Sequence, residues 1–129
     1  MMTPNLLVTD DDAAFRQVLC EALARRGFNV TEATDGQEAM DVLDHSEVHV
    51  CLIDFHMPRL TGLDVIRRLH TAGRVLPCVL MSADLNDEIR REAESMATYG
   101  VLAKPVRLKQ LSDVVCRALA DVYGWRPSM

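Results

Sequence analysis

A chain of 129 residues, 49% of them hydrophobic, is long enough to close one core and too short for two ordinary domains, and no apolar run in it is long enough to cross a bilayer. A formal net charge of −5 argues against nonspecific binding to the nucleic-acid backbone, which requires clustered Lys and Arg, so direct nucleic-acid contact is not expected. The opening Met-Met-Thr-Pro-Asn lacks the basic and apolar regions of a secretory signal, and a cytoplasmic location with no membrane association is expected.

Residues 1–129 read as one domain, with a core over about 5–122 and a tail over 123–129. Asn5 to Thr9 is a short apolar run ending on Asp10, Asp11 and Asp12, and reads as a first strand. From Ala13 the period changes: Phe15, Val18, Leu19, Ala22 and Leu23 predict one face of a helix capped by one of the aspartates, Asp12 in first place. Arg25 and Arg26 lie in its last turn, and Gly27 is the stop. Phe28 to Ala33 alternates as a second strand. Asp35 with Glu38 forms a capping pair for a helix reaching about Asp44, with Ala39, Val42 and Leu43 inward.

Val48 to Ile53 has the near-continuous apolar character of a strand buried on both faces, and Asp54 stands where it stops. Pro58 and Gly62 mark Phe55 to Thr61 as a loop. Leu63, Ile66 and Leu69 give a third helix ending near Gly73. Pro77 opens a fourth strand, Cys78 to Met81, which runs into Ser82, Ala83 and Asp84. A fourth helix follows, with Ile89, Ala93, Met96 and Ala97 inward and Arg90, Arg91, Glu92 and Glu94 on a solvated face. Val101 to Ala103 is a fifth strand, closed by Lys104 and Pro105. Leu108, Leu111, Val115, Ala118, Leu119 and Val122 mark the last helix. Cys20, Cys51, Cys78 and Cys116 form no C-x-x-C pair and fall within these apolar patterns, where packing is the expected role.

Strand and helix alternate five times, which predicts an α/β fold with a parallel sheet covered on both faces. Asp10 and Asp11, Asp54, Ser82 and Lys104 then all fall at the carboxyl ends of different strands, the edge at which open parallel sheets bind ligands. Carboxylates a few ångströms apart repel by about 4 kcal/mol per pair at an intermediate dielectric. Mg²⁺ would offset this, since it prefers oxygen ligands and keeps positions open for water and phosphate oxygens. Lys104 adds a point cation and Ser82 a hydroxyl donor, while the small Ala83 leaves room. With no general-base histidine at a matching position, the set suits transfer of a phosphoryl group onto Asp54, a reaction that depends on positioning and charge neutralisation.

In these motifs, Asp10-Asp11, Asp54 with Met57-Pro58 and Gly62, Ser82-Ala83 and Lys104-Pro105, the chain resembles a response-regulator receiver domain over about Asn5 to Val122. The resemblance implies a flavodoxin-like three-layer sandwich, a five-stranded parallel sheet of order 2-1-3-4-5 with five helices. It implies a signalling switch, not a dedicated enzyme, with slow autodephosphorylation. Asp54 would accept a phosphoryl group from a sensor histidine kinase or a histidine phosphotransfer protein. Asp11, Asp54 and the backbone carbonyl of His56 would ligate Mg²⁺, with Asp10 acting through water. His56 and Asp84 would flank the path of the hydrolytic water. A downstream protein target would dock on the face made by helix 4, strand 5 and helix 5, and a phosphorylation-dependent homodimer is left open.

The chain departs from the family pattern at Val101, where an aromatic is usual, and at Val106. Tyr99 is weighed as a substitute on the same side of the strand, against a role capping the core edge with its hydroxyl. An alternative is a pseudo-receiver, a binding module whose output does not need phosphate. A haloacid-dehalogenase-like phosphatase would need an Asp where His56 stands, and is set aside. His45, His49 and His70 share no ligand spacing and receive surface or packing roles. Met57 is read as loop packing, and Trp125 either as packed on the last helix or as part of a contact outside the chain.

Overall fold

The computed structural model describes residues 2–96 and 98–127. Five strands and five helices alternate along it: β1 (Asn5–Thr9), α1 (Ala13–Arg25), β2 (Asn29–Ala33), α2 (Gly36–His45), β3 (Val50–Asp54), α3 (Gly62–Thr71), β4 (Cys78–Ser82), α4 (Asp87–Ser95), β5 (Gly100–Ala103) and α5 (Leu108–Tyr123). The strands form one parallel sheet of order β2-β1-β3-β4-β5, so the expected flavodoxin-like topology is present. Alternation along the strands divides the core into two layers. Leu6, Val8, Leu52, Val79 and Met81 pack against α1 and α5. Leu7, Cys51, Ile53, Cys78 and Leu80 pack against α2, α3 and α4. β3 and β4 are buried at every residue, as expected of strands covered on both faces.

Local chemistry sets the helix starts. Asp12 accepts from the Phe15 N–H at 3.1 Å, and Asp35 accepts from the Glu38 N–H at 2.8 Å. Thr61 and Asp64 form a reciprocal capping box at the start of α3, which supplies partners for two otherwise orphaned amide groups. Hydrogen bonding to Thr61 holds the Asp64 carboxyl below its ordinary pKa.

Several sequence expectations need correction. β3 begins at Val50, not Val48: register pairing with β1 starts at Leu6 opposite Val50, and with β4 at Cys51 opposite Cys78. Asp54 belongs to the strand as its last residue. Val18 is 57% exposed: it lies about 100° round α1 from Leu19, off the buried stripe. Leu108 and Val122 are 39% and 41% exposed, because a 16-residue helix, about 24 Å long, outruns five-residue strands of about 17 Å. Tyr123, assigned to the tail, belongs to α5. Met96 caps the end of α4 and is half-buried against the core, while Ala97 lies outside the described residues, as do Ser128 and Met129 of the tail. Trp125 packs on Phe28 with ring centroids 5.6 Å apart, and Met57 is buried in the loop as expected.

Candidate functional site

Parallel pairing brings every strand's carboxyl end to one edge, and the predicted site residues converge there. Asp10 follows β1 directly and is fully buried, while Asp11 is exposed. Asp54 ends β3 and is 4% exposed. One carboxylate oxygen from each of these three lies within 4.8 Å of the others. Among the described residues, this is the group of metal-ligating side chains that comes together. Lys104 follows β5 and reaches back over the edge, its Nζ 2.8 Å from Asp10 Oδ2 and 3.3 Å from Asp54 Oδ1.

The two contacts of Lys104 differ in kind. It donates a hydrogen bond to Asp10, which also accepts from the Asp12 N–H at 2.9 Å. Its approach to Asp54 is an ion pair without hydrogen-bond geometry, and the buried Oδ1 is left without a directed partner. Burial raises the Asp54 pKa above the ordinary carboxylate value and the charge of Asp10 raises it further, against the opposing pull of Lys104. For Lys104 burial favours the neutral amine, but the bond to Asp10 and the charges of both aspartates outweigh it and raise its pKa. Ser82, fully buried at the end of β4, accepts from the Asp84 N–H at 3.2 Å and keeps its own hydroxyl proton to donate.

His56 and Asp84, expected separately at the mouth of the site, face each other there with Nε2 and Oδ2 3.6 Å apart. Tyr99 does not stand in for Val101. Pairing of β5 starts at Gly100, and Tyr99 packs against the α1–α5 layer whereas Val101 packs against the other. The Tyr99 hydroxyl donates to Asp121 at 2.6 Å, which agrees with the edge-capping role. His45, His49 and His70 do not converge: His45 bonds the Asp41 carbonyl, His49 is buried at the opposite end of the sheet, and His70 is exposed.

Three supporting contacts escaped the sequence reading, which placed Phe15 on the first helix and Gly62 in the loop motif but gave neither a contact to the site. The Phe15 ring lies under the Lys104 ammonium, 4.5 Å from centroid to Nζ, and adds a cation–π contact to its two ion pairs. Arg16 donates to the Asp10 carbonyl at 2.7 Å and to Glu32 at 2.9 Å, tying the first helix to two strand ends. Gly62 touches Asp54 itself, since a Cβ there would lie 2.3 Å from the Asp54 carbonyl oxygen. Phe15 and Arg16 follow the acidic run by a single helical turn, which is the signal that could have found them.

The model of the response regulator receiver domain family matches residues 6–116. Among curated relatives, the response regulator MprA of Mycobacterium sp. (strain KMS) is 34% identical over 110 residues, 85% of this chain and 48% of the relative. The sensory/regulatory protein RpfC of Xanthomonas campestris is 32% identical over 115 residues, 86% of this chain and 16% of the relative. The chain thus spans about half the length of one relative and a smaller share of the other. Among solved structures, a response regulator receiver protein from Pseudomonas putida superposes with a TM-score of 0.87 at 28% identity, covering 91% of this chain and 98% of that one.

Proposed function

The chain belongs to the response regulator receiver domain family, and from that premise we propose that it is a phosphoryl-accepting switch of a two-component or phosphorelay system, with Asp54 as the acceptor. The observation that carries this reading is the state of Asp54: a buried carboxylate with an oxygen lacking a directed partner and a cation 3.3 Å away. Such an oxygen is available to attack phosphorus, forming the P–O bond as the bond to the donor, a phosphohistidine of a histidine kinase or phosphotransfer protein, breaks. Lys104 is placed to take up charge on the transferred group, and Ser82 to donate its hydroxyl proton to a phosphoryl oxygen.

Mg²⁺ fits the donor set. Asp10, Asp11 and Asp54 offer hard oxygen ligands within 4.8 Å of one another, and a single ammonium leaves the three-carboxylate cluster with excess negative charge. Asp11 and Asp54, with the His56 carbonyl, would hold the ion and Asp10 would act through water. Bound there, Mg²⁺ supplies charge neutralisation for the acidic cluster and an incoming phosphate. His56 and Asp84, at the mouth, set how readily water reaches the phosphorylated site.

A phosphoryl oxygen on Asp54 that accepts the Ser82 hydroxyl proton reorients and draws in that hydroxyl, so the Ser82–Asp84 contact and the loop from Ala83 to Asn86 carry the first displacement toward α4. A partner protein, or a second copy, then reads the face formed by α4, β5 and α5. The test is incubation with a small-molecule phosphodonor and Mg²⁺. Wild type gains one base-labile phosphoryl group by intact mass and Asp54→Asn gains none; equal labelling overturns the assignment.

One observation favours a second reading, a binding module with phosphate-independent output: Val101 offers no aromatic ring to rotate, and Tyr99 is tied to Asp121. Amide shifts decide between the two. Changes spreading from Ser82 to α4 on phosphorylation support the switch, and changes confined to the acidic loops support the module.

A further inference from the structure

The register of the two central strands sets Cys51 of β3 opposite Cys78 of β4, with both side chains in the layer covered by α2, α3 and α4. Neighbouring strands lie about 4.7–4.9 Å apart, which falls inside the Cα separation of about 4.4–6.8 Å that a disulfide bridges. The environments of the two thiols differ. Cys51 is fully buried, and the adjacent Cys78 thiol together with that burial holds its pKa well above the ordinary value. Cys78 lines a cavity of about 270 Å³ with Leu69, Arg74, Pro77 and Tyr99, at the end of the sheet away from Asp54. That space exceeds the roughly 30 Å³ share of one water molecule, so a small neutral oxidant has room beside Cys78. The remaining cysteines, Cys20 and Cys116, pack against the other layer, with the sheet between them and this pair.

We propose that Cys51 and Cys78 form a redox modification site, at which a peroxide entering through the cavity links β3 to β4 by a disulfide. The Cys78 thiolate attacks the peroxide: an S–O bond forms, the O–O bond breaks, and the departing hydroxide takes up the proton released by the thiol and leaves as water. The Cys51 sulfur then attacks Cys78 sulfur. An S–S bond forms, the S–O bond breaks, and the hydroxide leaves as a second water with the proton of Cys51. Two thiols lose two electrons and two protons, and the peroxide is reduced to two waters. The cavity assigns the roles, Cys78 attacking and Cys51 resolving. The reaction is independent of phosphoryl transfer at Asp54.

The test treats the folded full chain with hydrogen peroxide, then alkylates free thiols in denaturant and maps peptides by mass. The expected result is loss of two of the four alkylatable thiols, a peptide joining Cys51 to Cys78, and recovery of all four on adding a dithiol reductant. A Cys20→Ser, Cys116→Ser double variant, which leaves the central strands intact, keeps that loss. Cys51→Ser, checked for native circular dichroism, leaves Cys78 as a sulfenic acid trapped by a diketone probe. Retention of all four thiols, or a linkage that uses Cys20 or Cys116, overturns the proposal. So does a Cys51–Cys78 link that forms only when the chain is unfolded during oxidation.

Discussion

The two ends of the same sheet are stabilised in opposite ways. At the carboxyl end, Asp10, Asp54 and Lys104 form a desolvated set of charges at 2.8 and 3.3 Å, with one carboxylate oxygen lacking a directed partner. At the amino end, directed hydrogen bonds do the holding: the Asn5 N–H donates to His49 Nδ1 at 2.9 Å, and the Tyr123 hydroxyl donates to the His49 carbonyl at 2.8 Å. The Tyr123 ring also stands edge-on to the imidazole at 5.2 Å. Accepting at Nδ1 leaves Nε2 to carry the ring proton, facing the exposed Glu47 carboxylate at 3.5 Å. Satisfied hydrogen bonds fix the strands at one end, so the other can hold a buried charge cluster that would relax if it were free to do so.

The largest test of this contrast is Lys104→Met. Removing one partner from a buried ion pair costs about 3–5 kcal/mol; with Lys104 18% exposed, the loss is expected near the lower bound, read from urea denaturation. An unchanged midpoint would mean that the cluster is solvated and the two ends are alike. Next comes the response to Mg²⁺, roughly 2.7 kcal/mol at about 100 times its dissociation constant. Thermal melts of Asp11→Asn should retain or gain stability without the ion and lose most of this response. Tyr123→Phe, at the amino end, removes one hydrogen bond worth about 1 kcal/mol and should leave the Mg²⁺ response intact; a weakened response would show that the ends are coupled.

The smallest effect is the pH dependence of Asp54. Its pKa is raised on folding, so the unfolded chain gives up that proton more readily. The associated stability is fully present below the unfolded value near 3.8 and is lost as pH rises through the folded one. Asp54→Asn should therefore stabilise the metal-free protein at neutral pH, by an amount that shrinks as pH falls toward the unfolded value. A gain that is constant across that range would assign the effect to packing.

Much of this architecture is legible in the sequence because period and punctuation are local: the apolar runs, the Asp12 and Asp35 caps and Gly27 fix the elements within a few residues. The site was legible for a topological reason. Lys104 and Asp10 are far apart in the chain, yet parallel strands must place their carboxyl ends together. What stayed hidden depends on rotation and depth. Periodicity put Val18 on the inner face of α1, but only the position of the sheet shows that the buried stripe stops short of it. Likewise His49 carries no local mark of the Asn5 amide it receives, and Asp10 and Asp11 are adjacent identical residues of which one is buried and the other exposed.

The strand order also has a consequence for synthesis. β1 pairs with both β2 and β3, so a three-stranded unit can assemble once the ribosome has delivered Asp54, well before it delivers Lys104. Such a unit would gather the three carboxylates with no ammonium among them. Arrival of β5 therefore does more than extend the sheet edge. It relieves part of a charge repulsion built by the first half of the chain, for which a divalent cation from solution is the other available counter-ion.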